Sequence, residues 1–572
     1  MARRPHRMTW RLTVLMLALF VCGLGVAVRL LQLQVFDHDY YAAEAKAEHE
    51  HRTVIRAPRG AILDRTGYPL ATTMITFDVY IDPRTWRDDN TALAGAAAVA
   101  PLLGREPGEL IVAARSQDSG DYLAARQVNA QAGLQIMNEA PPGVQAVETS
   151  SRFYPEGDLA SALLGFIGRD ETGLAGVEAD YDKELGGIPG LVYFERDGRG
   201  NPIPFGRKVG EQPEAGGDVQ LTIDRYIQSL VEQKLDAVIA KNGAVGGTII
   251  VMDPKTGEVL ALASRPSFQL SKLNLEDPNQ ADLYRNRAVT DLYSPGSVMK
   301  TITMAMAIDL GLVNPNTTYF DSGQAEVENA APIKNWDFSA HGTTTMTQVL
   351  QYSLNTGAVW VARQIGADRF YDYIERFGFG QPTNIGLGGE AAGIVRTNQD
   401  DSWYPVDLAT NSFGQGIDMT PLQMITAVSS LVNGGLLMRP YIVKEVTGPD
   451  GHRVYDPVVV RRTVSEETSR TLVQMMEAVV DGQPGHLAQV PGYHVGGKTG
   501  TTTFPDKIDT IASFIGFAPV ADPKFIMLVR LDSPGDSLGG VVAAPVFADI
   551  APKILSYLGL QPDVALVQGS GP

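Results

Sequence analysis

Ser297 and Lys300 stand three residues apart in Tyr293-Ser294-Pro295-Gly296-Ser297-Val298-Met299-Lys300-Thr301. Pro295 and Gly296 are turn and helix-start residues, and an apolar run with Ile302, Met304, Ala305, Met306 and Ile308 follows. The spacing puts the hydroxyl and the amine on one helix face. An amine whose pKa is lowered by burial can take the proton of a serine that attacks a carbonyl. Backbone N–H groups at the helix start lie where an oxyanion would form. Chance supplies such a two-residue pattern in a chain this long, and an N-cap serine with a solvated lysine one turn on reads the same way. Other motifs must decide.

Two do, and they follow in chain order. Ser353-Leu354-Asn355 offers a second hydroxyl and an amide, able to relay a proton and hold a substrate. Lys498-Thr499-Gly500-Thr501 offers a cation and two hydroxyls that can grip a carboxylate, with a glycine for close backbone approach. Lys255-Thr256-Gly257 repeats the last motif in the wrong place. It precedes the serine and sits in an Asp-Pro-x-Thr-Gly-Glu hairpin turn, where glycine supplies positive φ.

These residues need a frame. Val219 to Ile223 predicts a strand, with Asp224 capping a helix from Arg225 to Ile239. Gly247–Met252 and Glu258–Ser264 predict a hairpin. Residues 300–380 read as mostly helical, residues 493–501, 511–517 and 525–531 as strands, and Ala544–Leu558 as a last helix. Strands from both ends around a helical block give an α+β domain, its sheet mainly antiparallel with helices on its faces. Upstream, residues 59–71 predict two short strands around an Asp-Arg-Thr-Gly turn, residues 91–140 have helical spacing, and glycines punctuate residues 165–190. Arg59 and Asp64 are expected in structural pairs. Trp336, His341 and Gln415, though near the motifs, are expected to pack in loops or core.

The N-terminus sets the compartment. Arg3, Arg4, Arg7 and Arg11 precede an uncharged run from Leu12 to Val28, which is near the lower limit for a membrane span, about 17 residues. A snorkelling Arg29 extends it to Val35. No small-x-small cleavage site follows, so an uncleaved anchor is expected, with its arginine flank in the cytoplasm and the rest of the chain outside. The net charge of -18 argues against nucleic acid as a partner. The one cysteine, Cys22, lies in the apolar segment, which excludes a disulfide framework and a catalytic thiol in the folded body. The eight histidines lack metal-ligand spacing, so neither metal nor cofactor is expected.

Together the motifs resemble those of a class B penicillin-binding protein, a monofunctional peptidoglycan D,D-transpeptidase, nearly end to end. The resemblance covers Arg29-Leu30-x-x-Leu33-Gln34-Val35, Arg59-Gly60-x-Ile62-x-Asp64-Arg65, Arg152-x-Tyr154-Pro155 and Leu221-Thr222-Ile223-Asp224. It continues through the Tyr293–Lys300 block, Ser353-x-Asn355-Thr356-Gly357, Phe413-Gly414-Gln415-Gly416 and Lys498-Thr499-Gly500-Thr501. It implies a cytoplasmic tail (1–11), an anchor (12–35), a pedestal of the dimerisation type (36–215), a transpeptidase domain of the serine β-lactamase-like fold (216–560) and a loose tail (561–572).

The resemblance also implies roles. Ser297 would attack the penultimate D-alanine carbonyl of a stem peptide and release the terminal D-alanine. Lys300 would take the serine proton, Ser353 would protonate the leaving amine, Asn355 would hold the donor's amide, and Lys498 would support the relay. Thr499 and Thr501 would bind the terminal carboxylate beside Gly500, and the N–H groups of Ser297 and Thr501 would form the oxyanion hole. β-Lactams would acylate the serine. A polytopic membrane glycosyltransferase would be a partner. Phe377-Gly378-Phe379-Gly380 and Asn355-Thr356-Gly357 favour a septal over a side-wall role. A soluble β-lactamase lacks the anchor and pedestal, and a bifunctional class A enzyme needs a glycosyltransferase domain with catalytic glutamates. A non-catalytic scaffold or β-lactam sensor of the same fold is the remaining alternative.

Overall fold

The structure, a computed structural model, describes residues 7–41, 50–117, 120–196, 202–448, 451–483, 485–503, 510–535 and 538–563. Residues 1–6 of the expected cytoplasmic tail and 564–572 of the expected loose tail lie outside the described residues. Two compact units emerge, residues 1–58 with 187–215, and residues 59–186 with 216–572.

In the first unit an α-helix, Arg7–Leu31, runs into a π-helical turn, Gln32–Phe36. Trp10–Phe36, 27 residues, is long and apolar enough to cross a membrane and none of it is buried, which fits a single-pass anchor. Arg29 donates to Gln32 Oε1 at 2.8 Å. The same unit holds an antiparallel sheet of Glu50–Ile55, Gly190–Arg196 and Pro202–Glu211.

The second unit is built around a five-stranded antiparallel sheet. Its strands are Gly246–Met252 (β1), Val259–Arg265 (β2), Gly496–Thr503 (β3), Thr510–Ala518 (β4) and Phe525–Asp532 (β5), in the order β2-β1-β5-β4-β3. Side chains alternate across a strand, and both faces are apolar here. Ile515, Phe517, Ile526 and Leu528 enter one core, while Ala512, Phe514, Met527 and Val529 enter the other. Helices Arg225–Asn242 (α1) and Ala544–Tyr557 (α7) cover the second face; Asp224 caps α1 by accepting from Tyr226 and Ile227 N–H. The first face lies under Pro421–Val432 (α5) and, beyond it, Met299–Asp309 (α2), whose residues 299–307 are all buried. A helix apolar all round belongs in a core, so α2 holds its first turn rigidly. Met346–Gln351 (α3), Asn355–Ile365 (α4) and Glu466–Val480 (α6) complete this layer.

Two regions differ from the sequence reading. Tyr122–Asn129, inside the expected helical stretch, is a strand paired antiparallel with Pro69–Ile81. Residues 318–345, inside the expected helical block, hold four short strands in two antiparallel pairs. In both, pairing across the chain overrides local helical spacing. Ile62–Leu63 pairs in parallel with Val219–Gln220, which pairs in turn with Val443–Gly448, so residues 59–186 share a sheet and a core with the C-terminal body.

Arg59 ties residues 59–186 together internally. It is buried and donates to Glu178 Oε2 at 2.7 Å and Asp182 Oδ1 at 2.7 Å, while Arg152 donates to Glu178 Oε1 at 2.6 Å. Glu178 is fully buried between the two guanidiniums. Removing one partner of a buried ion network leaves charge uncompensated, at a cost of about 3–5 kcal/mol. Glu178→Gln, which keeps the shape, is therefore expected to lower the unfolding free energy by that amount in urea; a loss under about 1 kcal/mol would contradict the network's importance.

Candidate active site

A cleft of about 970 Å³ opens beside β3. Ser297, Ser353, Asn355, Lys498, Thr499 and Thr501 all line it, so three motifs far apart in the chain converge. Lys300 lies beneath, reached through its hydrogen bonds.

The serine occupies a 3₁₀ turn, Gly296–Val298, that feeds α2. Gly296 has φ of 57° and its N–H donates to Gly414 O at 2.9 Å. A Cβ at Gly296 would come within 2.6 Å of Thr501 O, and one at Gly414 would collide with the Gly296 carbonyl. Only glycines let the Phe413–Gly416 segment, the serine turn and β3 stack this closely. Ser297 is half-buried, and its Oγ has no hydrogen-bond partner among the described residues.

Ser353 sits between α3 and α4 with φ of 57°, a left-handed conformation that costs a non-glycine residue about 1 kcal/mol or more. The turn is held by Leu354 N–H donating to Val349 O at 3.0 Å, and by Thr356 Oγ1 donating to Asp321 Oδ1 at 2.8 Å. Asn355 Nδ2 donates to Lys334 O at 2.9 Å, which fixes the amide so that Oδ1 faces Lys300. The strands missed by the sequence reading thus carry the partners that position Asn355.

Both lysines are about 1 % exposed. Lys300 Nζ donates to Ser353 O at 2.6 Å, Asn355 Oδ1 at 2.8 Å and Ser353 Oγ at 3.3 Å. Lys498 Nζ donates to Ser353 Oγ at 3.0 Å, Thr499 O at 3.2 Å and Thr499 Oγ1 at 3.3 Å. Neither has a carboxylate partner among the described residues. Burial, and then the charge of Lys498, hold Lys300 well below the ordinary lysine value, against the pull of its three oxygen acceptors. Burial alone lowers Lys498 to about 7. Two amines with lowered pKa bridged by one hydroxyl are an arrangement able to pass a proton next to a serine.

β3 is an edge strand of the sheet, so its free backbone groups face the cleft and can pair with an extended peptide. Thr499 and Thr501 line the cleft, and Thr501 Oγ1 accepts from Gly539 N–H at 3.2 Å. Gly500 differs from expectation. The space a side chain would need is filled by Ser513 Oγ and by Pro295 O, 2.8 Å from a Cβ, so glycine serves the packing of β3 on the serine loop instead of ligand approach.

Trp336, His341 and Gln415 also depart from expectation by lining the cleft. Trp336 is 58 % exposed and donates to Tyr352 O at 3.0 Å; His341 stacks on Tyr352 and pairs with Asp337 at 2.9 Å. Phe413, from the recognised Phe413–Gly416 motif, lines the cleft as well. Sequence reasoning missed Gln351, Gln483 and His486, which lie on helix ends and loops with no chemical signature.

Residues 247–552 match the model of the penicillin binding protein transpeptidase domain, and residues 54–221 that of the penicillin-binding protein dimerisation domain. The peptidoglycan D,D-transpeptidase FtsI of Escherichia coli K12 is 32 % identical over 98 % of this chain and 94 % of its own. The chain belongs to the class B penicillin-binding proteins. Stage V sporulation protein D of Bacillus subtilis is 36 % identical over 98 % of this chain and 88 % of its own. Penicillin binding protein 3 from Mycobacterium tuberculosis, solved with aztreonam, superposes with a TM-score of 0.69 at 28 % identity, covering 90 % of this chain and 99 % of its own. Penicillin binding protein 2X from Streptococcus thermophilus shares the fold with a TM-score of 0.77 at 24 % identity, over 89 % and 81 % of the two chains. As a class B penicillin-binding protein the molecule is a peptidoglycan D,D-transpeptidase.

The buried lysines have a stability signature. A lysine whose folded pKa lies below its unfolded one makes the folded state bind fewer protons between the two values. Lys498 therefore costs its full penalty below about 7 and progressively less as pH rises toward 10.5. Lys498→Met is expected to melt above the unaltered protein at pH near 7, with the gap shrinking toward pH about 10. A gap independent of pH would refute the lowered pKa.

Proposed function

We propose that Ser297 is the nucleophile of a serine acyl-enzyme transpeptidase. The observation that carries this reading is the pair of buried lysines, with no carboxylate partner among the described residues, joined by Ser353 Oγ beside Ser297. Neutral Lys300 takes the Ser297 proton as Oγ attacks the penultimate D-alanine carbonyl of the donor stem peptide. Backbone N–H groups of Ser297 and Thr501, brought together by the contact of Gly296 with Thr501, receive the oxyanion. Asn355 holds the donor amide, and Ser353 passes a proton to the leaving D-alanine nitrogen, replenished from Lys498. Thr499, Thr501 and cationic Lys498 hold the terminal carboxylate, with Gly500 keeping β3 tight against the serine loop. A second stem peptide's amine then takes the acyl group. β-Lactams, which imitate the donor, stop at the acyl-enzyme.

The enzyme acts outside the cytoplasmic membrane, anchored by Trp10–Phe36 with the arginine flank inside. We favour septal wall synthesis, in company with a polytopic glycosyltransferase, on the strength of Phe377-Gly378-Phe379-Gly380. A fluorescent fusion is expected to gather at midcell in dividing cells; even labelling along the side wall would overturn that assignment.

Fluorescent penicillin is expected to label the intact chain, and Ser297→Ala to abolish labelling. Labelling that survives the substitution would remove Ser297 from this role. The acylation rate has a two-limbed pH profile, because the base must be neutral and Lys498 charged. It rises as Lys300 loses its proton and falls as Lys498, at about 7 in the free protein, loses its own. A rate rising monotonically to pH about 10 would exclude a charged Lys498 from the reaction.

A further inference from the structure

One corner of the cleft has polar groups that the acylation step leaves unused. Gln351, Gln483 and His486 line the same cavity as Ser297, on the side where α3 ends two residues before Ser353. Gln351 Nε2 donates to Ala478 O at 2.8 Å, and Gln483 Nε2 donates to Gln351 O at 2.8 Å. Each amide thus spends one of its two N–H groups on a backbone carbonyl, which fixes its orientation. Neither Oε1 has a partner among the described residues. Gly482 allows this lacing, since a Cβ there would strike Ala478 O and come within 3.1 Å of Gln351 Nε2.

His486 is half-buried on the following loop. Its Nδ1 accepts from Ala488 N–H at 3.1 Å, which in the neutral ring leaves the proton on Nε2. Burial first, and the charge of Lys498 second, lower its pKa and so favour the neutral ring. Its backbone N–H donates to Gln483 O at 3.1 Å, and Gln489 Nε2 ties the loop to Val480 O and Gln483 O, each at 3.2 Å. The corner therefore offers two fixed acceptors and one fixed neutral donor.

We propose that Gln351, Gln483 and His486 form the subsite for the acceptor, the amine-bearing arm of a second stem peptide. This rests on the function proposed above. In the transfer step the neutral amine forms an N–C bond to the acyl carbon and the bond from that carbon to Ser297 Oγ breaks. The amine's proton returns to Ser297 Oγ through Ser353 or Lys300. By microscopic reversibility the incoming nitrogen takes the place of the leaving one, beside Ser353. An arm arriving past Ser353 meets the two amide oxygens, which accept its N–H groups, and the imidazole N–H, which donates to its carbonyl. The donor's terminal carboxylate, held on β3, makes no demand on this corner.

The test uses the detergent-extracted full chain, a D-alanyl thioester donor, and a soluble stem peptide with a free primary amine as acceptor. Gln351→Met, Gln483→Met and His486→Phe are each expected to lower the transfer-to-hydrolysis ratio about 10-fold by raising the acceptor KM, the loss of one hydrogen bond. The penicillin acylation rate should change far less. An unchanged ratio, or acylation falling in parallel with transfer, overturns the subsite. Failure of the unaltered chain to take penicillin overturns instead the proposed function. Should the variants not fold, saturating acceptor peptide is expected to protect His486 of the unaltered chain from diethyl pyrocarbonate, read by mass spectrometry; undiminished modification overturns the subsite.

Discussion

The layout of the cleft depends on keeping two lysine amines out of water with no carboxylate paired to either among the described residues. Burying an ammonium in a medium of low dielectric is costly, and an acid beside it would remove the cost and the reactivity together. Lys300 and Lys498 are instead surrounded by neutral oxygens, and they share Ser353 Oγ. Burial, with the charge of Lys498 added, holds Lys300 well below the ordinary lysine value, and burial lowers Lys498 to about 7, so both amines give up a proton more readily than an exposed lysine.

That enclosure demands a stiff frame. α2 is buried on every side, so Lys300 cannot swing out to find water, and the sheet buries Lys498 from its edge strand, beside the cleft. Between them Ser353 is held in a left-handed conformation, a local strain supported by the hydrogen bonds of Asp321, Asn335 and Thr356. The stack of Gly414 on Gly296 and of Gly296 on Thr501 removes the freedom that a side chain would require. Strain and close backbone contact are concentrated where the chemistry needs fixed distances.

Much of this was legible in the sequence, and the failures share one cause. The strands of the central sheet, the Asp224 cap and the serine turn all carry local signals: alternation, a capping carboxylate, Pro-Gly before an apolar run. Tyr122–Asn129 and the short strands of residues 318–345 do not, because what makes them strands is a partner far away in the chain. Trp336 and His341 were legible as residues but not as cleft walls, since their exposure follows from how those short strands lie over α4. Gln351, Gln483 and His486 had no signal at all. Their relevance comes from a lacing of amide N–H groups onto backbone carbonyls, which only three-dimensional proximity creates.

The two Lys-Thr-Gly tripeptides isolate what the fold adds. Lys255, in the hairpin between β1 and β2, has a half-exposed side chain and pairs with Asp522. Gly257 there has φ of 82°, as the turn requires. Lys498 has the same neighbours in sequence, but β3 places its amine inside the protein among hydroxyl and carbonyl oxygens, while its glycine is needed for flat packing against Pro295 and Ser513. One lysine is a surface ion-pair partner and the other a titrating group poised near 7. The tripeptide sets which atoms are available. Whether a carboxylate or a serine hydroxyl meets the amine, and whether water does, is set by the sheet position, and that difference separates a turn from a proton relay.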